Sequence, residues 1–147
     1  MIDKLVIRTV KNKDKDFLIK GNNEIKKIEK QSIDDNDDLI RLLSALKKKN
    51  IKILDKNNQT IGFIAYDLNY KLMFYNEPVF WILEQYIIKK ERQKGYASLL
   101  IKEVLKIANE KKYNKVYADV YNINSISLIY SKKQKFKPVY TVYEKKI

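Results

Sequence analysis

The sequence predicts an α/β (α+β) fold in which helices cover a mixed sheet, with the element order β-α-α-β-β-β-α-β-α-β. Three observations support this prediction. Short runs rich in β-branched and aromatic residues show either the two-residue alternation or the continuous apolar character of strands. Longer segments repeat apolar residues at helical spacing. One such helix connects two strands, and a strand–helix–strand crossover of this kind implies that these two strands are parallel.

The N-terminal region predicts one strand followed by helices. Residues 4–10 alternate between two faces, as a strand does. Asp14 or Asp16 can cap a short helix, which the Gly-Asn-Asn sequence at 21–23 is expected to break before a second helical piece begins. The acidic cluster Asp34–Asp38 then caps a clearer helix with leucines on its core face, because the helix dipole favours negative charge at its N-terminus.

The middle of the chain predicts a hairpin, a buried strand and a central helix. Residues 51–54 and 60–70 have strand character, and the polar Lys-Asn-Asn-Gln sequence at 56–59 is typical of a hairpin turn. The apolar run at 79–88 predicts a largely buried strand. Apolar residues then recur at helical spacing from 97 to 108, with charged residues on the opposite side.

The C-terminal part predicts a strand, a helix and a final strand. Residues 115–121 alternate and are the expected parallel neighbour of the buried strand. Asn124 is a suitable N-cap for a helix to about Lys133, and residues 136–143 complete the sheet as a last strand. Since no repeat or linker interrupts the 147 residues, residues 1–147 are expected to form a single domain.

Composition excludes several kinds of chemistry. The chain has no cysteine and no histidine, which excludes thiolate chemistry, Cys/His metal sites and Ser-His-Asp catalysis. Acid–base chemistry must then use Glu, Asp, Tyr, Lys, a chain terminus or water, and no metal is expected. The N-terminus lacks a signal-peptide pattern and no apolar run approaches membrane-spanning length, so we expect a cytoplasmic protein without membrane association.

The net charge of +13 has more than one interpretation. A nucleic acid or a polyanionic cofactor would each suit a basic protein. The lysines are dispersed, however, and no arginine-rich stretch is present. This distribution favours an ordinary solvated surface, and a nucleic-acid partner is not expected.

The basic turn between the buried strand and the central helix is the main candidate for a ligand site. It consists of Arg92, Gln93, Lys94, Gly95, Tyr96, Ala97 and Ser98. Free backbone amides and the positive dipole end make a helix start an anion site, and Gly95 permits close approach of the backbone to a ligand. A phosphate-bearing ligand is therefore one interpretation. The residues alone fit an ordinary strand-to-helix turn with solvated lysines equally well.

Taken together, the element order and this turn resemble the GNAT superfamily of N-acetyltransferases. That family carries the motif Arg/Gln-x-x-Gly-x-Gly/Ala at the start of the helix after its fourth strand, matched here by Arg92, Gly95 and Ala97. The resemblance extends over about residues 51–136, and more loosely over the first strand and two helices. Residues 83–88, Leu-Glu-Gln-Tyr-Ile-Ile, are similar to the Leu-Glu-Asp-x-Tyr-Val of the diamine (spermidine/spermine) acetyltransferase branch.

The resemblance implies acetyl-CoA as the acetyl donor and a GNAT-like sheet whose parallel fourth and fifth strands splay around it. The pantetheine arm would pair with the backbone of the fourth strand, amides of the basic turn would hold the pyrophosphate, and an asparagine of the last helix would bond the arm from the other side. The expected cofactor-binding residues are Tyr86, Ile87, Ile88, Arg92, Gln93, Lys94, Gly95, Tyr96, Ala97, Ser98, Asn124 and Lys133.

Direct transfer to an amine needs a base, because an amine with a pKa of about 10 is mostly protonated near pH 7. Glu84 is the candidate, as the only acid of the apolar strand, and burial would raise its pKa toward neutrality. The alternative is that Glu84 faces solvent or pairs with a lysine. The tyrosine that serves the leaving thiolate in the family falls on Ser131, with Tyr130 one place earlier, and this role stays open between Tyr130, Ser131 and neither.

The acceptor is expected to be a primary amine of a small molecule or a protein. It would enter over the first two helices, where the acidic cluster Asp34–Asp38 and aromatic residues suit a cation such as a polyamine, an aminoglycoside or a lysine side chain. Capping and core packing explain many of the same residues. A monomer or homodimer is expected. Two alternatives to an enzyme remain on this fold: a nucleic-acid-binding module, and a protein that binds acyl-CoA without turnover.

Overall fold

The computed structural model describes residues 2–29, 37–72, 75–119 and 132–147, and its elements follow the predicted order as far as the fifth strand. The strands are β1 (Leu5–Thr9), β2 (Ile51–Lys56), β3 (Gln59–Tyr70), β4 (Val79–Ile87) and β5 (Val116–Ala118). The helices are α1 (Lys15–Ile28), α2 (Asp37–Lys48) and α3 (Tyr96–Glu110). Short 3₁₀ turns at Asn12–Asp14 and Lys89–Glu91 precede α1 and follow β4.

The strands form one mixed sheet in the order β1-β2-β3-β4-β5. All neighbours are antiparallel except β4 and β5, whose parallel pairing confirms the crossover predicted through α3. Pairing between β4 and β5 ends where Ile82 lies opposite Ala118. Beyond Ile82, the edge of β4 that faces away from β3 has no strand partner among the described residues, which leaves an open edge on a central strand.

Helices pack on both faces of the sheet. Leu18 of α1 and Leu42 of α2 belong to one buried cluster, and Leu100 of α3 belongs with Phe80 to a second cluster on the opposite face. Burial on both sides explains the nearly continuous apolar character of β4. The helices in the described part of the chain include none that is long and apolar enough to cross a membrane.

An extra residue in β4 decides on which face of the sheet the side chains that follow it lie. Ala65 and Tyr66 are consecutive in β3 but lie opposite Glu84 and Ile82 of β4. Leu83 therefore has no partner of its own and is the extra residue of a β-bulge. Ile82 packs in the cluster with α3, whereas Tyr86 packs in the cluster with α1 and α2. Strict alternation would place Glu84 on the same face as Ile82. The bulge instead turns Glu84 toward α1 and α2.

The predicted break in the first helix is wrong, since α1 continues through residues 21–23. Gly21 lies so close to the sheet that a Cβ there would come within 2.8 Å of both the Phe63 and Tyr86 rings. Tertiary packing at this contact therefore favours glycine and outweighs its unfavourable helix propensity of about 1 kcal/mol. The hairpin prediction is confirmed, with positive φ angles of 51° and 65° at Asn57 and Asn58.

The predicted final strand at 136–143 is also wrong, because these residues form no strand. The alternating pattern shows only that one face could be buried, whereas a strand also needs a neighbour for its backbone groups. The side chains of Val142 and Tyr143 are exposed. Of the strand predicted at 115–121, residues 116–118 are confirmed as β5. Only Lys132 and Lys133 of the helix predicted from Asn124 lie within the described residues, and they are helical.

Candidate active site

Glu84 lies half-buried on β4, where the bulge directs its carboxylate toward α1. Asn22 of α1 donates from Nδ2 to both carboxylate oxygens, at 3.2 and 3.0 Å. Burial raises the pKa of Glu84 to about 7, while the hydrogen bond from Asn22 acts in the opposite direction. A carboxylate with such a pKa can accept and release a proton near neutral pH, as a general base must.

An acidic cleft adjoins Glu84 between α2, β4 and the end of β5. Its walls are formed by Asp38, Arg41, Trp81, Leu83, Glu84 and Asp119. The cleft combines three carboxyl groups with one guanidinium, and it becomes negative as the carboxyl groups ionise, which favours a cationic ligand. Burial raises the pKa of Asp119 as it does that of Glu84. We use the name acidic cleft for these six residues below.

A wider groove adjoins the acidic cleft along α2. It has a volume of about 210 Å³ and shares Arg41 and Leu83 with the cleft. Beside it, the Tyr70 and Trp81 rings stack with centroids 4.2 Å apart, and the Arg41 guanidinium lies 5.5 Å from the Tyr70 ring. The site therefore offers both acidic groups and aromatic faces on the side of the sheet where Glu84 lies.

The turn before α3 leads into the free backbone amides of a helix start. Gln93 and Gly95 have positive φ angles of 61° and 84°, and Gly95 is the N-cap of α3. The first amides of any α-helix lack intrahelical partners, and Gly95 as N-cap has no side-chain hydrogen bond that would satisfy those of α3. A Cβ at Gly95 would meet no atom within 4 Å, so the space beside it is open. This arrangement fits a diphosphate.

Arg92 contacts the fold rather than the open side of the turn. Its Nε donates to the Ile87 carbonyl at 2.8 Å, and its guanidinium lies 3.7 Å from Glu24 and 5.7 Å from the Tyr86 ring centroid. The Tyr86 hydroxyl also donates to Glu24. Arg92 therefore ties the start of the turn to the end of β4 and to α1.

The remaining residues of the turn have partners of several kinds. Lys94 lies 3.2 Å from Glu91, whose carboxylate also accepts from Lys56 at 2.9 Å. The Lys56 ammonium lies 5.5 Å from the Tyr96 ring. At the start of α3, the Ala97 carbonyl accepts from the Gln85 side chain and the Ser98 hydroxyl accepts from Gln134. Lys133, beside Gln134, is exposed.

Alternate residues of β4 direct their backbone N–H and C=O groups to its open edge. The Ile88 amide donates to the Ile61 carbonyl of β3 at 2.9 Å. Because the antiparallel register is regular here, Tyr86 also directs its backbone groups toward β3, whereas Gln85 and Ile87 direct theirs toward the open edge. Residues 86–88 were predicted to pair with the pantetheine arm, but only Ile87 among them directs its amide to this edge. Gln85 also does so, which the sequence did not indicate.

Sequence reasoning also missed three residues near Glu84: Arg41 and Asp119 of the acidic cleft, and Asn22, which was interpreted only as part of a helix break. A signal was available. Asn22 follows the buried Leu18 by four residues, which places a polar group on the core face of a helix. The predicted residues Asn124, Tyr130 and Ser131 lie outside the described residues, as do Asp34 and Asp35 of the acidic cluster.

A half-buried carboxyl group beside an open strand edge, together with a helix start whose amides suit an anionic ligand, fits the class of transferases that take a phosphate-bearing acyl donor. The chain belongs to the acetyltransferase (GNAT) family, whose model matches residues 22–136. It is accordingly an N-acetyltransferase that uses acetyl-CoA as the acetyl donor. No curated protein sequence matches the chain.

Solved structures share this fold over nearly the whole chain. The aminoglycoside N-acetyltransferase AAC(6')-Iy in complex with CoA is 16% identical, with a TM-score of 0.78 over 100% of this chain and 97% of the other. A "predicted acetyltransferase with acetyl-CoA" from Clostridium acetobutylicum is 20% identical, with a TM-score of 0.72 over 97% and 96%. The ribosomal-protein-alanine N-acetyltransferase of Brucella melitensis biovar Abortus 2308 is 14% identical, with a TM-score of 0.67 over 98% and 99%.

Proposed function

We propose that the protein acetylates a cationic primary amine by direct transfer from acetyl-CoA, with Glu84 as the general base. The observation that carries this proposal is the position of Glu84. It is a half-buried carboxyl group in the wall of the acidic cleft. It belongs to β4, whose edge away from β3 is open beyond Ile82. Its pKa of about 7 suits proton transfer near neutrality.

Glu84 has a defined task in this reaction. Acetyl-CoA, when bound, supplies a thioester carbon to which the amine nitrogen bonds while the carbon–sulfur bond breaks and the sulfur leaves as a thiolate. The protonated amine has no free electron pair, so Glu84 takes one proton from it, directly or through water. Asp38 and Asp119 attract one ammonium group of the acceptor to the acidic cleft, whose volume of about 20 Å³ admits a group of that size, and the rest of the acceptor lies in the wider groove.

Residues of the turn and the open edge are proposed to hold the acetyl donor. Amides of Gln93–Ser98 would bind the pyrophosphate, with Lys94 and Lys133 supplying positive charge. The amides of Gln85 and Ile87 would pair with the pantetheine arm. The family resemblance adds two proposed roles: Asn124 would bond the other side of the arm, and Tyr130 or Ser131 would be the proton donor to the leaving thiolate.

Two classes of acceptor suit the acidic cleft best, polyamines and aminoglycosides. Both carry several ammonium groups, and the cleft holds three carboxyl groups. The similarity of residues 83–88 to the diamine acetyltransferase motif favours a polyamine. The aminoglycoside acetyltransferases among proteins of the same fold favour the other class. A peptide amine carries fewer positive charges and would gain less from the cleft.

The Asp38→Asn/Asp119→Asn double variant tests the acceptor proposal. With spermidine and neamine as acceptors, we expect KM to rise about tenfold or more with little change in kcat, because each lost charge contact is worth about 1 kcal/mol at a partly exposed site. Steady-state release of the CoA thiol measures both constants. Glu110→Gln, which removes an exposed acid from α3 on the other face, is the matched control. An unchanged KM for both amines in the double variant would contradict a cationic acceptor.

Gly95→Ala tests the proposed pyrophosphate site. An alanine at the φ of 84° costs about 1–2 kcal/mol, and its methyl group would occupy the open space beside the turn. We expect the Kd for CoA, measured by titration calorimetry, to rise about tenfold or more. Asn58→Ala places the same residue at a φ of 65° in the hairpin, away from the turn, and should leave the Kd unchanged. Equal CoA affinity in Gly95→Ala and the parent would argue against this binding site.

A further inference from the structure

We propose that Asn22 is a positioning residue for Glu84 and serves as its hydrogen-bond partner in both protonation states of the carboxyl group. This inference rests on the general-base role proposed for Glu84. A base that cycles between carboxylate and carboxylic acid gains an O–H donor beside its remaining acceptor oxygen in each turnover. A partner that holds both oxygens throughout must be able to accept as well as donate.

The observed contact corresponds to the ionised state of Glu84. Asn22 is only 2% exposed, and its Nδ2 group lies 3.2 and 3.0 Å from the two carboxylate oxygens. An ionised carboxylate only accepts hydrogen bonds, so the amide donates here. Because both oxygens share this one neutral donor, the orientation of the carboxylate depends on the side chain of Asn22.

The carbonyl oxygen of the Asn22 side chain provides a partner for the protonated state of Glu84. Asn22 Oδ1 is buried and has no hydrogen-bond partner in the part of the chain that the structure describes. An unsatisfied buried acceptor of this kind destabilises the fold and calls for an explanation. Rotation of the carboxamide until Oδ1 and Nδ2 both face the carboxyl group lets Oδ1 accept the O–H of protonated Glu84, while Nδ2 still donates to the carbonyl oxygen of the acid. The acceptor without a partner in one state thus becomes the partner in the other.

Asn22 is neutral, whereas the other groups that act on Glu84 are charged. Lys26 and Glu29 approach from α1, Asp38 and Arg41 from α2, and Asp119 from the end of β5. A cation in place of Asn22 would keep Glu84 ionised, and an acid would keep it protonated. A neutral carboxamide favours the ionised form far less than a cation would, which leaves the proton free to move to and from Glu84.

Carboxyl NMR on the free protein tests this inference without any acceptor. In protein labelled with ¹³C-glutamate, the Glu84 signal is assigned by its absence in Glu84→Gln and followed from pH 4 to pH 10. We expect Asn22→Leu to move the titration midpoint upward by about one unit, since Asn22 forms a stronger hydrogen bond with the charged carboxylate than with the neutral acid. The side-chain amide signal of Asn22 in the parent should change with the same midpoint as Glu84.

Two further variants make the result decisive. Asn22→Ala removes the same amide but favours the helix, so it provides the answer if the leucine variant fails to fold. Asn23→Leu, a neighbour on α1 without a role in the site, should leave the midpoint unchanged. The acid limb of kcat/KM should move upward together with the NMR midpoint in the Asn22 variants.

The possible results separate the two proposals. A lower Tm with the parent midpoint in both Asn22 variants would show a purely structural role and overturn the inference. An Asn22 amide signal that does not respond to the titration of Glu84 would overturn the exchange of partners. A Glu84→Gln protein as active as the parent would overturn the general-base proposal itself, whereas the NMR midpoint still reports the Asn22 contact independently.

Discussion

Glu84→Gln is expected to reduce kcat about 10²–10⁴-fold, the range in which a positioned general base contributes to rate. Glutamine has nearly the same shape and can still hydrogen-bond Asn22, but it cannot take the proton of the amine. The Kd for CoA should remain that of the parent, because the proposed pyrophosphate site lies in the turn before α3. Release of the CoA thiol measures kcat, and titration calorimetry measures the Kd. Equal kcat values in variant and parent would contradict the role of Glu84.

The same residue determines the expected pH dependence. Burial raises the pKa of Glu84 to about 7, so the base is ionised above that pH and protonated below it. We therefore expect kcat/KM to fall as pH decreases through about 7. The Glu84→Gln variant should lose this acid limb and retain only the limb of the acceptor amine itself, near pH 10. Persistence of the limb at pH 7 in the variant would assign it to another group.

Stability should fall with rising pH, whereas kcat/KM should rise, and this difference gives a control for folding. The folded protein keeps the Glu84 proton up to about pH 7, whereas an unfolded chain releases it near pH 4.5. The folded state thus binds more protons between these values, and stability falls as pH rises through that window. Glu84→Gln should therefore have a higher Tm than the parent at pH 8, but not at pH 4. A lower Tm at both values would attribute the loss of activity to misfolding.

Elements with strong local signals were predictable from the sequence. The hairpin depends on two asparagines that adopt left-handed conformations readily, and the structure has Asn57 and Asn58 in that region. The central helix follows from its own apolar periodicity, and the parallel β4–β5 pair follows from the crossover that contains this helix. Glu84 was recognisable as a candidate base because a single acid interrupts an apolar strand.

Features that depend on distant partners were not predictable in the same way. The bulge at Leu83 is a mismatch between two strands, and nothing in the β4 sequence alone indicates it. The face on which Glu84 lies therefore could not be determined. The segment 136–143 alternates like a strand but has no neighbour to pair with among the described residues. Arg92 matched a cofactor motif by type and position, whereas its observed contacts are to Ile87 and Glu24.

Gly21→Val is expected to destabilise the protein by about 2–3 kcal/mol, as overpacking of a well-packed core does. A Cβ at residue 21 would lie 2.8 Å from both Phe63 Cε1 and Tyr86 Cδ2. These rings cannot withdraw easily, because they are 0% and 4% exposed and contact each other and Phe17. The Tyr86 hydroxyl is also held by Glu24. Thermal and urea unfolding measure the loss, and Gly21→Ala should fall between the parent and the valine variant.

The same substitution should reduce activity at constant CoA affinity, because the close approach at Gly21 is what brings the next residue, Asn22, to Glu84. Displacement of α1 from β4 would lengthen that hydrogen bond and shift the NMR midpoint of Glu84 upward, as in Asn22→Leu. Lys20→Val is the matched control: it places the same β-branched residue at an exposed position one residue earlier, and should change neither the midpoint nor kcat. A Gly21→Val protein with the Tm and kcat of the parent would show that α1 reaches Glu84 without needing glycine at this contact.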